Sequence, residues 1–232
     1  MGNQTSKPLP NTSNLSSNVS TEQPAQRIFS QPSTSANSTS GLSTTASLEP
    51  NYEWIKGRRF FNDKDIHYFL PNDVGEVDRL VLQHFILYKA LGGNFHAPVK
   101  ELLETGAKVL DVGCGPGNWT LNMAMDFPNA IFEGIDAVDN FPKEIKPSNT
   151  NFLQGNVALG LPYPDATFDF VFQRTMAMSF TKEQWATVMK EILRVLKPGG
   201  WIQLVECDVV PHSTGTATSE FFGRSTYHSF VS

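Results

Sequence analysis

Between Lys108 and Thr120 an aspartate and three glycines fall on alternate positions: Asp111, Gly113, Gly115 and Gly117. An apolar run, Val109, Leu110 and Val112, leads into them, and a helical pattern follows from Trp119. That order describes a buried strand, a tight turn and a helix N-terminus. Glycine is needed where the backbone takes a positive φ or where a ligand comes against the main chain, because a Cβ would be in the way. The spacing is not the Gly-x-Gly-x-x-Gly of a dinucleotide site, and no Gly-Lys-Ser/Thr follows as a P-loop requires. Asp136 closes the next strand, Ile131 to Ile135. In nucleoside-binding α/β folds an acid at that place accepts hydrogen bonds from ribose hydroxyls.

The elements that must position these residues can be read along the chain. Asp73 and Glu76 are spaced as a capping box, and Val77, Leu80, Val81, His84, Phe85, Tyr88 and Leu91 then recur at helical spacing up to Gly92-Gly93. His84 lies on this stripe and reads as a satisfied core histidine before it reads as a catalytic one. After the glycine loop come a helix from Trp119 to Asp126, a second strand ending at Asp136, and a short third strand, Asn151 to Gln154, leading to Gly155-Asn156. Phe168 to Phe172 is a fourth strand, apolar except for Asp169, with Gln173-Arg174 at its carboxyl end. Thr181 and Gln184 open a helix through Val188, Ile192, Val195 and Leu196, stopped at Lys197-Pro198-Gly199-Gly200; Trp201 to Val205 is the fifth strand. Strands alternating with helices make βαβ units and a mostly parallel sheet.

Composition sets the outer bounds. The chain has 232 residues, a net charge of −5 and two cysteines, Cys114 and Cys207. The charge excludes a broad nucleic-acid footprint, and the cysteine usage suits a reducing compartment. No apolar run reaches membrane-spanning length and no signal-peptide core precedes the domain, so a cytoplasmic protein is expected. Residues 1–50 are rich in Ser, Thr, Asn, Gln and Pro, with few charges, and read as a disordered leader. The leader opens Met1-Gly2-Asn3-Gln4-Thr5-Ser6, the N-myristoylation pattern with Gly2 as acceptor. One such chain gives only marginal membrane binding, an association constant of about 10⁴ M⁻¹. Aromatic residues from Tyr52 onward mark the start of folded chain.

Taken together, the glycine loop, Asp136, Gly155-Asn156, the strand Phe168–Phe172 and Leu196-Lys197-Pro198-Gly199-Gly200 resemble the class I S-adenosylmethionine (SAM)-dependent methyltransferases over roughly residues 108–206. Gly57-Arg58-Arg59-Phe60, Leu70-Pro71-Asn72-Asp73, Asp78-Arg79-Leu80 and Gln83-His84 are similar to the N-terminal cap of the fungal LaeA-like (TAM-type) methyltransferases, as are Gln173-Arg174 and Phe180 to Trp185. The resemblance implies a Rossmann-like fold with a mostly parallel sheet. It divides the chain into a leader at 1–50, a helical N-terminal cap at 51–105 and a SAM-binding domain at 106–232. It implies that Gly113, Gly115 and Gly117 lie under the cofactor, with Asp111 orienting the loop and the amino-acid portion. Asp136 takes the ribose, residue 156 meets the adenine amine, and Gln173 sits near the sulfonium. The sequence departs from the pattern at Asn156, where the usual residue is Asp; a charge-assisted bond becomes a neutral one, roughly half as strong.

The implied activity is methyl transfer from SAM to a small-molecule or protein acceptor, without a metal. The alternative is a non-catalytic regulatory protein that keeps the fold, and family resemblance adds a nuclear location to the cytoplasmic one. A general base is required only if the acceptor must lose a proton; His84, His67 and Tyr163 are weak candidates, and no catalytic residue is assigned. A complete fold of this class has two further strands after the fifth, as an antiparallel hairpin at the sheet edge. Residues 207–232 are polar, with one apolar cluster at Phe221-Phe222 and room for a short helix and a strand through Tyr227 to Val231. The C-terminal strands are therefore expected to be incomplete and turnover impaired.

Overall fold

The structure, a computed structural model, describes residues 52–62, 66, 68–208 and 213–224, the last four in backbone only. The leader, Gly2, His67, the side chains of Phe221-Phe222 and the strand expected through Tyr227 to Val231 lie outside what is described.

Two short strands, β1 (Tyr52–Ile55) and β2 (Arg58–Phe61), pair antiparallel ahead of the first helix. Lys56 and Gly57 join them with φ of +50° and +77°, the two positive-φ residues of a tight hairpin turn whose twist matches the strands. The cap is thus not purely helical as expected; Lys-Gly is a weaker turn signal than Asn-Gly or Asp-Gly, which is why the hairpin goes unread. Asn72 ties the next segment back to it: its N–H donates to the Arg59 carbonyl and its carbonyl accepts from Arg59 Nε, both at 2.6 Å.

Helix α1 (Val74–Leu91) starts on Asp73, whose carboxylate accepts the Glu76 N–H at 3.0 Å, and ends on left-handed Gly92. Only half of the expected capping box forms. The Glu76 side chain turns inward instead, accepting from the Tyr68 hydroxyl at 2.8 Å and from Arg79 at 2.7 and 2.8 Å. The apolar stripe is also shallower than its periodicity implies: His84 is buried, while Phe85, Tyr88 and Leu91 stay exposed beside Leu82 and Ile86. Helix α2 (Lys100–Thr105) is too short to show a period.

The remaining strands form one parallel sheet. They are β3 (Lys108–Val112), β4 (Ile131–Asp136), β5 (Thr150–Gln154), β6 (Phe168–Arg174) and β7 (Leu196–Val205), in the order β5-β4-β3-β6-β7. Parallel sheets are stable when both faces are covered, and here they are. Helix α3 (Asn118–Asp126) packs Trp119, Met123 and Ala124 on Val109, Phe132, Phe170 and Phe172. The Trp119 ring stacks on Phe172 at 3.9 Å. Helix α4 (Lys182–Val195) covers the other face with Val188, Ile192 and Val195 against Leu110, Val112, Ile135 and Val171. The capping box expected at its start is present in both directions, Thr181 with Gln184. A further helix, α5, spans Thr216–Arg224.

Strand β7 begins five residues earlier than the expected Trp201. Leu196 pairs with Phe168 and Trp201 with Phe170, so Lys197 to Gly200 bulge opposite Asp169. The polar residue in an otherwise apolar strand is explained there: Asp169 accepts the Lys108 N–H and the Lys197 ammonium, each at 2.9 Å.

Candidate functional site

The strand order reverses direction across β3 and β6, and in open parallel sheets ligands bind beyond the carboxyl ends of the strands at such a switch point. The glycine loop lies there. Gly113 and Cys114 donate their N–H groups to the Ile135 carbonyl at 2.8 and 3.1 Å, and Gly117 donates to Cys114 O at 2.9 Å. Gly113 and Gly117 have φ of +71° and +79°, which side-chain-bearing residues adopt only with strain. A Cβ on Gly113 would stand 2.3 Å from the Met176 sulfur, so a thioether now rests on the bare backbone of the loop. The glycine at 117 serves a different neighbour. A Cβ there, or on Gly134 of β4, would stand 2.6 Å from the Phe152 ring, with Cys114 Sγ at 3.0 Å from the second.

Asp136 uses both carboxylate oxygens to hold main chain, one on the Gly115 N–H at 2.8 Å and the other on the Val138 N–H at 2.9 Å. Burial pushes its pKa up, and these donors oppose the shift. Ala137 also contributes a backbone donor, and the carboxylate's roughly four lone-pair sites leave room for a further one. Asp111 is buried and accepts the Thr120 hydroxyl at 2.6 Å; desolvation raises its pKa to about 6 against the pull of that bond. Asn156 caps the short 3₁₀ turn Val157–Leu159, its amide oxygen accepting the Ala158 N–H at 3.0 Å. Gln173 is fully buried and neither amide atom makes a hydrogen bond of good geometry among the described residues, although its amide helps to lower the pKa of the neighbouring Glu206 carboxyl.

Some of these residues line a cavity of about 290 Å³ between the sheet and the cap. Gly113, Gly115, Asp136 and Asn156 line it from the sheet, Leu70, Asn72, Arg79 and Leu80 from the cap, and Met176, Met178 and Phe180 from the segment after β6. Asp111 lines a smaller neighbouring cavity of about 60 Å³, which shares Gly113, Gly115 and Arg174 with the larger one. Gly117 and Gln173 line neither.

Glu206 and Asn72 hold places in the site that the sequence alone does not assign, and the structure decides the roles of His84 and Tyr163. Glu206 follows β7 and accepts the Met176 and Ala177 N–H groups at 3.0 and 2.9 Å, fixing the segment over the glycine loop; burial raises its pKa. Asn72 is buried and lines the cavity with an amide nitrogen that has no partner among the described residues, its oxygen accepting from Asn140 at 2.9 Å. His84 bridges Asn122 on α3, at 2.7 Å, and Arg174, at 3.0 Å. Arginine only donates, so His84 Nδ1 accepts, Nε2–H donates to Asn122, and the ring is neutral; burial lowers its pKa accordingly. That engagement leaves His84 no free nitrogen for proton abstraction. Tyr163 lies off the cavity, packed edge-on against Phe168. Burial raises the pKa of its hydroxyl.

Residues 109–200 match the family model described as a methyltransferase domain. The chain is 32% identical over 146 residues to the secondary metabolism regulator LAE1 of Cochliobolus heterostrophus, covering 62% of this chain and 47% of that one. It is 29% identical over 195 residues to the methyltransferase pytC of Aspergillus terreus, covering 83% and 58%. To the N-methyltransferase verN of Clonostachys rogersoniana it is 32% identical over 143 residues, covering 60% and 50%. The chain thus spans about half the length of the curated relatives it matches. Among solved structures it is similar to a putative methyltransferase in complex with the Haloferax volcanii Trm112 activator, with a TM-score of 0.47, 24% identity and 56% of each chain covered.

Proposed function

We propose, from the premise that residues 109–200 carry a class I methyltransferase domain of LaeA-like type with SAM as its cofactor, that this chain transfers a methyl group to a small-molecule or protein acceptor. The observation that supports it most is the meeting of Gly113, Gly115, Asp136 and Asn156 on one cavity wall at the switch point of the sheet. The residues present suit the cofactor: a bare glycine backbone that only a movable thioether covers, and a buried amide on Asn72 without a partner among the described residues.

In this reading Asp136 accepts from the ribose hydroxyls at the lone-pair site its backbone donors leave free, through charge-assisted bonding. Asn156 accepts from the adenine amine, with an oxygen it shares with Ala158. Gly113 and Gly115 let the amino-acid part lie against the main chain, Asp111 steadies that loop through Thr120, and Gln173 lies beneath the reacting end. Gly117 acts one step back, by admitting Phe152. SAM supplies the electrophilic methyl group. The chain's own contribution is alignment and exclusion of water, and alignment is worth ~7–11 kcal/mol in good cases. Around the acceptor, Leu80, Met176, Met178 and Phe180 make an apolar wall, and no catalytic base is assigned.

The match to proteins named as regulators of secondary metabolism favours a second reading, a fold-retaining regulatory protein. Calorimetry and turnover separate the two. The enzyme reading expects S-adenosylhomocysteine to bind where NAD does not, and SAM to be converted in the presence of an acceptor drawn from a metabolite and protein screen. Binding without turnover across that screen favours the regulator, and NAD binding in place of S-adenosylhomocysteine overturns both. For the leader we propose acylation of Gly2 and a cytoplasmic protein with a minor membrane-associated fraction; in protein from a eukaryotic host, an intact mass that differs from that of Gly2→Ala by the one methylene of the substitution overturns it.

A further inference from the structure

A guanidinium taken out of water is stable when an anion or a full set of acceptors meets it. Arg174, the last residue of β6, lacks both among the described residues. It is partly buried, burial presses on its charge, and Asp111 supports that charge from a distance. It takes part in none of the ion pairs among the described residues. Its one side-chain hydrogen bond there goes to the neutral ring of His84, at 3.0 Å, which leaves most of its five N–H donors to be met by something else.

The position of Arg174 says what that is. Asp136 and Asn156 line only the larger cavity, Asp111 and Asn118 only the smaller, and Arg174 lines both together with Gly113 and Gly115. The smaller cavity also meets the N-terminus of α3, where the first-turn N–H groups and the helix dipole favour negative charge. A ligand with its ribose on Asp136 and its chain across the two glycines therefore brings its far end to Arg174. We propose that Arg174, aimed by His84, is the subsite for the α-carboxylate of the cofactor's amino-acid part. This rests on the methyltransferase reading above. The planar fork of a guanidinium matches a carboxylate through two parallel N–H···O bonds, which lysine cannot reproduce. His84 is a positioning residue here: anchored to Asn122 on α3, it fixes one edge of the fork and leaves the other edge for the ligand.

The test compares two ligands on the full chain by calorimetry. S-adenosylhomocysteine carries the carboxylate; 5′-methylthioadenosine has the same nucleoside and sulfur without the amino-acid part. Arg174→Gln should weaken S-adenosylhomocysteine roughly 10–100-fold, as expected for lost bonds to a charged group, and leave methylthioadenosine within about twofold. Arg174→Lys should fall between, and His84→Phe should weaken the first ligand selectively but less. Thermal melts report whether each variant folds; should Arg174→Gln fail, the lysine and His84 variants decide. Equal losses for both ligands would mean a structural role, and no loss for either would mean no contact; both overturn the proposal. If the unaltered chain binds neither ligand, the cofactor reading itself fails and takes this inference with it.

Discussion

Asp136 spends its carboxylate twice over before any ligand arrives, on Gly115 and on Val138. Its removal should therefore act on both loop and ligand. Asp136→Ala is expected to cost about 1.5–3 kcal/mol of S-adenosylhomocysteine affinity, the range for hydrogen bonds to a charged group, with a lower melting temperature besides. Calorimetry showing unchanged affinity would remove the ribose role. Asp111 bears on pH instead. Its folded pKa, about 6, lies above the ordinary carboxylate value, so the folded chain holds this proton more tightly than the unfolded one. The stability it contributes is fully present below about pH 4 and is lost as pH rises through about 6. Asp136 and Glu206 are shifted in the same direction. Asp111→Asn, which keeps an acceptor for Thr120, should flatten that fall in denaturant titrations between pH 4 and pH 7. A slope unchanged by the substitution would assign it to the other two acids. The spacing of Gly113, Gly115 and Asp136 made these positions legible, because each ends a strand or turns a loop, whereas Asn156 was singled out only through the family resemblance. The bond between His84 and Arg174 was not, since it joins residues 90 apart through a fold that neither specifies locally.

Two helix starts with the same spacing turn out differently, and the difference is tertiary. Thr181 is exposed and Gln184 half-buried, and their side chains bond each other's backbone N–H groups, so the reciprocal box forms. Thr181→Ala should cost about 1 kcal/mol in chemical denaturation, and a change within experimental error would show that α4 is held by its buried face alone. At α1 the Tyr68 hydroxyl and the Arg79 guanidinium, both lining the cavity, compete for the buried Glu76 carboxylate and win. Asp73 is left to cap and to pair with Arg58, whose hydrogen bonds hold its carboxyl well below the usual carboxylate range. The mostly parallel sheet followed from strands alternating with helical patterns, whereas the early start of β7 did not: Lys197 to Gly200 read as punctuation, and the Leu196 pairing with Phe168 and the Lys197 contact with Asp169 draw them to the sheet.

Across the whole molecule, the described sheet ends at β5 and β7, and β7 leaves Trp201 and Leu204 44% and 40% exposed. A strand edge with apolar flanks invites pairing with another chain. Sedimentation at rising concentration is expected to show self-association that Leu204→Lys reduces; association unaffected by that change would point instead to the exposed Leu82, Phe85 and Ile86 of α1. The slot around Phe152 has a consequence of another kind, for the order in which this fold can change. One ring fills the space left by glycines on two separate elements, so neither glycine can gain a methyl group while the ring stays. Gly134→Ala alone should destabilise strongly, and Phe152→Leu should recover part of that loss in a double-mutant cycle, the contact with Cys114 keeping the recovery partial. Gly117→Ala should recover less, because its φ of +79° remains whatever stands at 152. Descent from this sequence can therefore release position 134 only after 152 has shrunk, while 117 stays glycine on either path.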